Sequence, residues 1–450
     1  MRLEGTVLTQ QSPQNELVSV YARIEEVDIE DNLVLLDCVL ANAPSLVGLI
    51  AEPFRELRQR WKVSFGRIDA PDSPPIDLSS IPAAIVTGRV EQPQIWQELI
   101  DAATWVQLLV PAPVFSEETS ATVSVAGFES VPPETAAKLS AILDMDYWPR
   151  VRAPILSEAL DAFPMIEGAV VHDVGQGSAN ALFDSSGRAV VYFDAGKGSH
   201  WNAKTAPAGL DLCACSTPMV VLSHWDTDHW KAAKDGQQEL LKSIWVVPSQ
   251  KIRPTHAKFA ALILQSGGSI YVVKRSSKPS NIVTNNQYVS IRYGKGSDLN
   301  NSGLVLTVTM AAIGTRNRHV LFFPGDAAYD MCVDPPRKVD LLVASHHGAD
   351  SPGNVNIPKP KSRRHSRLVY SFGPNNSYRH PRQNAISAHV TYDWNHKYWD
   401  KSGWNHSASS GTVRATYTQL DQKRQSIVFP ASAIPQAQHF STSHGETLDS

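Results

Sequence analysis

The sequence predicts a two-part α/β protein: a β-rich α+β domain over residues 1–150 and a larger layered α/β domain over residues 165–433. Three observations lead there. The chain has 450 residues, 42% of them hydrophobic, more than one compact core accommodates. Charge divides unevenly, with 10 Lys/Arg against 22 Asp/Glu up to Arg150 and 31 against 22 after it. From Met165 onward, apolar runs end repeatedly in loops rich in His, Asp, Gly and Asn, as when buried strands deliver polar groups at their C-terminal ends.

In the first third, strand-like runs (Leu17–Val20, Leu33–Val39, Ala83–Val90, Trp105–Val110, Ala121–Val125) alternate with helical patches (Pro53–Trp61, Gln94–Ala103, Pro133–Leu143). Proline-rich breaks separate them. No catalytic constellation is visible there, so a partner-binding or regulatory domain is expected, its acidity suiting a protein partner. Residues 151–164 read as a linker with a short helix over Ile155–Ala162, and residues 434–450 as a disordered polar tail.

No apolar run approaches the roughly 18–20 residues of a membrane helix. The N-terminus lacks a basic region followed by an apolar stretch, and four scattered cysteines do not suit a disulfide framework. A cytoplasmic protein with no membrane partner is expected. Cys213 and Cys215 form a C-x-C pair with no second pair nearby.

The segment Ser223 to His229 carries the chemistry. His224, Asp226, Asp228 and His229 follow a strand within six residues. A regular helix or strand cannot converge four such side chains on one point, whereas a tight loop at a strand end can, around two adjacent cations. Two cations about 3.5–4 Å apart need an anion between them, and Asp326, at the end of the run Val320–Phe323, suits that role. His346 and His347 end the next strand; one is expected to bind metal and the other to orient it or touch substrate.

In this order the segments resemble a metallo-β-lactamase-fold hydrolase, specifically the soluble hydrolase domain of ComEC-type DNA-uptake proteins. The resemblance spans about residues 165–420. It rests on Asp173-Val-Gly-Gln-Gly177, Asp194-Ala-Gly196, His224-x-Asp-x-Asp-His229, Asn300 to Leu306 leading to Gly325-Asp326, His346-His-Gly348 and Asn375 to Pro381. It implies an αββα sandwich and a dinuclear-metal-dependent phosphodiesterase, most simply a nuclease acting on nucleic acid. A small-ester hydrolase and a non-catalytic scaffold in a multiprotein complex are the alternatives.

The chain departs from the wider pattern in two places. Asp226 replaces a histidine, and Asn300, Asn301 and Ser302 stand where a further histidine ligand is usual. The first ion would then be held by His224, Asp226 and Asp326. The second would be held by Asp228, His229, Asp326 and one of His346/His347. More oxygen ligands move the preference from Zn²⁺ toward Mn²⁺. Asp228 is expected to be essential to catalysis, His380 to act as general acid or phosphate contact, and Asp173 and Asp194 to order the ligand loops. The basic stretch Lys359–Arg367, with Lys361, Arg363 and Arg364, and the loop residue Arg379 are expected to contact a phosphate backbone. Trp394, Trp399 and Trp404, among Lys397, Lys401 and His406, are candidates for stacking on bases.

Overall fold

The computed structural model describes residues 17–54, 56, 78–101, 104–111, 122–125, 127–145, 148, 150–151, 153–162, 164–236, 238–273, 275, 288–311, 318–350, 355–396, 413–418 and 423–430. Residues 434–450 and the residues Lys397, Trp399, Lys401, Trp404 and His406 lie outside these. The chain is a mixed α/β protein and divides into two compact units. One is Met1–Pro149 with Lys251–Ser266, the other Arg150–Gln250 with Gly267–Ser450. Among the described residues no helix is long and apolar enough to cross a membrane.

The first unit is built on a six-stranded sheet ordered β5-β3-β2-β1-β4-β6. Its strands are β1 (Leu17–Asp28), β2 (Leu33–Leu40), β3 (Ala83–Arg89), β4 (Val106–Pro111), β5 (Thr122–Ser124) and β6 (Glu129–Ser130). β1 runs well beyond the apolar stretch that marks it in the sequence. Arg23 can occupy a buried strand position because it is paired: Nη1 lies 2.6 Å from Asp144 Oδ1 and donates to Ile252 O at 2.6 Å. The β1–β2 turn is closed by Asp28, whose carboxylate accepts from Glu30 N and Asp31 N, each at 3.0 Å. In β2, every residue from Val34 to Val39 is buried, so both faces are covered. The helix Pro254–Gln265 belongs to this unit, and Asp37 satisfies its first turn by accepting from Thr255 N at 3.0 Å and Thr255 Oγ1 at 2.5 Å. A helix at Pro44–Ala51 has no counterpart in the sequence reading; most of the expected Pro53–Trp61 helix lies outside the described residues.

The second unit contains two large mixed sheets. The first, ordered β24-β8-β9-β10-β11-β12-β13-β7, uses β7 (Arg150–Val151), β8 (Gly168–Val171), β9 (Ala179–Phe183), β10 (Ala189–Ala195), β11 (Met219–Val221), β12 (Ile244–Pro248), β13 (Ser269–Val273) and β24 (Ile427–Phe429). The second, ordered β14-β15-β16-β18-β20-β21, uses β14 (Tyr288–Tyr293), β15 (Leu304–Ala311), β16 (Arg318–Phe323), β18 (Leu341–Val343), β20 (Arg367–Tyr370) and β21 (Val413–Ala415). Two short ribbons complete the strands: β17 (Lys338–Val339) with β19 (Lys359–Pro360), and β22 (Tyr417–Thr418) with β23 (Lys423–Arg424). The expected linker holds β7, which extends the first sheet beside β13, and a helix over Ala153–Asp161.

Strand periodicity distributes the core. Leu304, Leu306 and Val308 of β15, Leu321 and Phe323 of β16, Leu341 and Val343 of β18 and Val369 of β20 share one cluster with Val191, Phe193, Val221 and Val246 of the first sheet. The intervening Val305, Phe322, Leu342, Leu368 and Tyr370 enter a second cluster with Ile386 and Trp394. One face of the second sheet therefore packs on the first sheet and the other on the helix Gln383–Thr391. Trp394, a stacking candidate in the sequence, is 1% exposed and its indole N–H donates to Pro358 O at 2.9 Å; it is a core residue.

Candidate metal centre

β10 and β11 are parallel, as are β16, β18 and β20, so the loops that follow them emerge at matching ends. Asp194, in a left-handed conformation with φ 63° near the end of β10, anchors the ligand loop after β11. Its carboxylate accepts from Ser223 N at 2.7 Å and Ser223 Oγ at 2.9 Å, and it lies 2.8 Å from His229 Nδ1. Two glycines let the backbone approach. A Cβ on Gly196 would overlap the Asp228 carbonyl oxygen, and one on Gly177 would lie 2.8 Å from the same atom. The Asp194 turn and the Asp173–Gly177 loop therefore clamp the main chain of Asp228.

The hydrogen-bond partners fix two imidazoles in one sense. Asp194 can only accept, so His229 Nδ1 carries the hydrogen. His347 Nδ1 lies 3.0 Å from Ser371 O, again an acceptor, and is likewise the donor. His224 lies between two partners, with Ser223 Oγ 3.0 Å from its Nδ1 and Asp226 Oδ2, an acceptor, hydrogen-bonded to its Nε2 at 3.1 Å. The Nε2 lone pairs of His229 and His347 are then left facing carboxylates. His229 Nε2 is 3.3 Å from Asp326 Oδ1 and 3.8 Å from Asp228 Oδ1; His347 Nε2 is 3.5 Å from Asp228 Oδ2; His224 Nε2 is 3.1 Å from Asp226 Oδ2 and 3.8 Å from Asp326 Oδ2.

Lone pairs facing carboxylate oxygens repel unless a cation lies between them. Nε2 of both His229 and His347 is buried without a hydrogen bond. Two overlapping groups have ligand atoms within 4.8 Å of one another: His224, His229 and Asp326, and Asp228, His229 and His347. The residues present fit divalent cations. The electrostatics agree. Burial favours a neutral ring at His229, yet Asp326, Asp194 and Asp228 raise its proton affinity well above the ordinary value. Burial likewise opposes charge on Asp326, but His229, His346 and His347 hold its carboxyl well below the usual range. A field that attracts a proton this strongly attracts a metal ion.

The grouping differs from the sequence expectation: His229 rather than Asp326 belongs to both groups, Asp326 joins only the first, and Asp226, with a side chain 28% exposed, stands at the edge beside His224. His346 and His347 differ in anchoring: His347 is 4% exposed and held by Ser371, whereas His346 is 34% exposed, its Nε2 3.5 Å from Asp326 Oδ2. His346 borders the centre from its open side.

His380 also reaches the site, its ring 5.6 Å from that of His346. Gln176 Nε2 donates to His380 Nδ1 at 3.0 Å, so the neutral ring carries its hydrogen on Nε2. Burial, with His346, His347 and Arg382, holds its pKa well below the ordinary imidazole value. That environment favours a neutral hydrogen-bond donor over a protonated acid. Asn376 secures the loop by accepting from His380 N at 2.8 Å and donating to His380 O at 2.9 Å. Asp173 is held away from the ligands by Arg424, with contacts of 2.5 and 2.8 Å, and fixes its own loop through Gly175 N at 3.2 Å.

Asn300, Asn301 and Ser302 are supporting residues. Asn301 Oδ1 accepts from Ala328 N at 2.9 Å, pinning the loop after Asp326. Ser302 Oγ accepts from Gln250 Nε2 at 2.8 Å, and Asn300 supplies a carbonyl to Gly303 N at 3.2 Å.

The basic stretch corrects the sequence reading. Lys361, Arg363 and Arg364 precede β20, which is parallel to β16 and β18, so they lie at the opposite end of these strands from Asp326 and His347. Lys361 bonds Asp340, just before β18, at 3.3 Å, and Arg363 bonds Asp393 at 3.0 Å. Of the four cations expected to contact substrate, Arg379 alone belongs to a loop at the site, and its side chain is exposed beside His380.

The sequence reading missed Ser223, Gln176 and Ser371 as orienting groups. Ser223 and Gln176 sit inside motifs already recognised, so their positions were the available signal; Ser371 acts through its carbonyl, which no side-chain pattern reports. No protein-family model matches the chain, and no curated protein matches it.

Proposed function

We propose that this chain is a dinuclear-metal-dependent hydrolase of phosphodiesters, with its second unit an αββα sandwich of the metallo-β-lactamase type. One observation carries the reading: two imidazoles, those of His229 and His347, have Nδ1 fixed as a donor and aim Nε2 at Asp326 and Asp228, beside the His224–Asp226 pair, at the ends of strands from two facing sheets. His224, His229, Asp326, Asp228 and His347 would hold the ions, with Asp226 beside His224. Divalent ions there supply Lewis acidity, acidifying water and offsetting charge on phosphoryl oxygens. Asp194 and Ser371 keep the ligand nitrogens unprotonated. His380 Nε2–H donates a hydrogen bond to a phosphoryl oxygen, and His346 lines the approach.

Nucleic acid is the narrower substrate proposal, supported by the excess of 31 basic over 22 acidic residues after Arg150. The placement of Lys361, Arg363 and Arg364 away from the centre favours a second reading, a small phosphodiester. The acidic first unit is proposed to engage a protein partner.

The test is hydrolysis of bis-p-nitrophenyl phosphate, single- and double-stranded DNA and RNA by the Mn²⁺- or Zn²⁺-loaded protein, at low and high salt. Asp228→Ala should be inactive on every substrate that the wild type cleaves. Cleavage of the small diester alone selects the second reading, and cleavage of none by a metal-loaded, folded protein refutes phosphodiesterase activity.

A further inference from the structure

Behind the turn Ser345–Gly348 lies a buried hydrogen-bonded chain that none of the assigned roles uses. The turn is strained: His346, His347 and Gly348 take φ of 46°, 55° and 87°. Left-handed conformations cost ordinary residues about 1–2 kcal/mol each and persist only where the surroundings enforce them. Two tyrosines do so here. Ser345 N–H donates to Tyr329 Oη at 3.1 Å. The Tyr370 ring packs so closely on Gly348 that a Cβ there would lie 2.9 Å from ring carbons.

Both tyrosines converge on His389, 1% exposed on the helix Gln383–Thr391. Its Nδ1 is 2.7 Å from Ala385 O and 2.9 Å from Tyr370 Oη; its Nε2 is 2.9 Å from Tyr329 Oη. A carbonyl only accepts, so Nδ1 carries the hydrogen and Nε2 accepts from Tyr329 O–H. That leaves the Tyr329 oxygen to accept from Ser345 N–H. At the far end Tyr370 O–H points to His396 Nε2 at 3.3 Å, and His396 Nδ1 donates to Trp394 O at 3.1 Å. Every donor in this chain has an acceptor, and its direction is set by carbonyls at Ala385 and Trp394. Burial and His396 push the His389 pKa down to about 3, so the ring stays neutral across the physiological range. The helix bearing His389 is tied to the same turn by Arg382 N, which donates to Gly348 O at 2.8 Å.

We infer that Tyr329 and His389 are positioning residues for His347: through Ser345 N–H they hold the left-handed turn that aims the His347 imidazole at Asp228. The inference rests on the reading of this cluster as a metal centre. Neither residue touches a ligand side chain of the two groups, so the effect must pass through the turn.

The experiment is Co²⁺ titration of the chelator-stripped full chain, followed by visible absorption and calorimetry, beside thermal melts of each variant. The wild type should bind two ions at the two overlapping groups that share His229. Tyr329→Phe, which removes only the hydroxyl, should weaken the second ion about tenfold and change its absorption, as loss of an orienting partner does. His389→Gln keeps an acceptor for Tyr329 O–H and should bind nearly as the wild type does, whereas His389→Leu should resemble Tyr329→Phe. Comparing two substitutions at one buried position keeps the test valid if Tyr329→Phe folds poorly. A wild type that binds two ions while Tyr329→Phe and His389→Leu match it overturns the positioning role alone. A wild type that binds none removes the metal reading and the positioning role together.

Discussion

Asp194→Asn is the sharpest perturbation of the centre, because it changes one buried oxygen to nitrogen and leaves the shape intact. The carboxylate meets Ser223 N, Ser223 Oγ and His229 Nδ1 at 2.7, 2.9 and 2.8 Å. The asparagine oxygen can keep the Ser223 N–H bond, and the amide nitrogen then faces His229 Nδ1. An amide nitrogen only donates, so His229 must accept at Nδ1 and move its hydrogen to Nε2. That hydrogen occupies the direction along which His229 would bind metal. His229 has one lone pair for a metal, at Nε2, so the ion it would hold should weaken. Loss of such an orienting partner costs about 10–100-fold in metal affinity, or roughly 1.4–2.7 kcal/mol per ion. Competition titration against a chromophoric chelator measures this directly, with near-UV circular dichroism as a check on folding. An Asp194→Asn protein that folds and binds both ions as tightly as the wild type would refute the tautomer argument and the role given to Asp194.

Other consequences are separable. His347→Ala should lose one metal equivalent, while His346→Ala should keep both and lower turnover; equal metal loss in the two, measured by elemental analysis, would contradict the assignment based on the Ser371 contact. Replacing Lys361, Arg363 and Arg364 together by alanine should leave kcat/KM for the small diester within about twofold, since surface ion pairs remote from chemistry contribute little; a large drop would return that loop to the site. Acid stability should depend on Asp340. Burial opposes its charge, but His319, Val320 N–H and Lys361 together lower its carboxyl below the ordinary value. Its contribution is therefore full above the unfolded carboxylate range of about pH 4 and is lost as pH falls through the lowered pKa. Asp340→Asn should flatten the acid limb of a stability–pH curve, and an unchanged limb would contradict this.

The ligand loop was legible because its chemistry is local. His224, Asp226, Asp228 and His229 lie within six residues, and Asp326 and His347 each follow an apolar run whose period identifies a strand. The mixed α/β class followed from the same runs. What failed depended on strand direction or on distant partners. The loop Lys359–Arg367 follows His347 closely in sequence, but crossing back to start another parallel strand puts it at the other end of the sheet. Gln176 and His380 are 204 positions apart, and Asp173 and Arg424 are 251 apart; neither pairing leaves a local trace. The helix Pro254–Gln265 has no counterpart in the sequence reading, and nothing in its pattern tells that Asp37, 218 positions earlier than Thr255, receives its first turn. Arg23 obscured the length of β1 for a related reason, since its partner Asp144 is 121 residues away.

Anomalous diffraction from crystals soaked in Mn²⁺ or Zn²⁺, recorded on both sides of the metal absorption edge, addresses the metal centre itself. The account predicts two peaks about 3.5–4 Å apart, one beside His224, His229 and Asp326 and the other beside Asp228, His229 and His347. A fully soaked crystal with no peak among these side chains, or with its metal elsewhere, would contradict it.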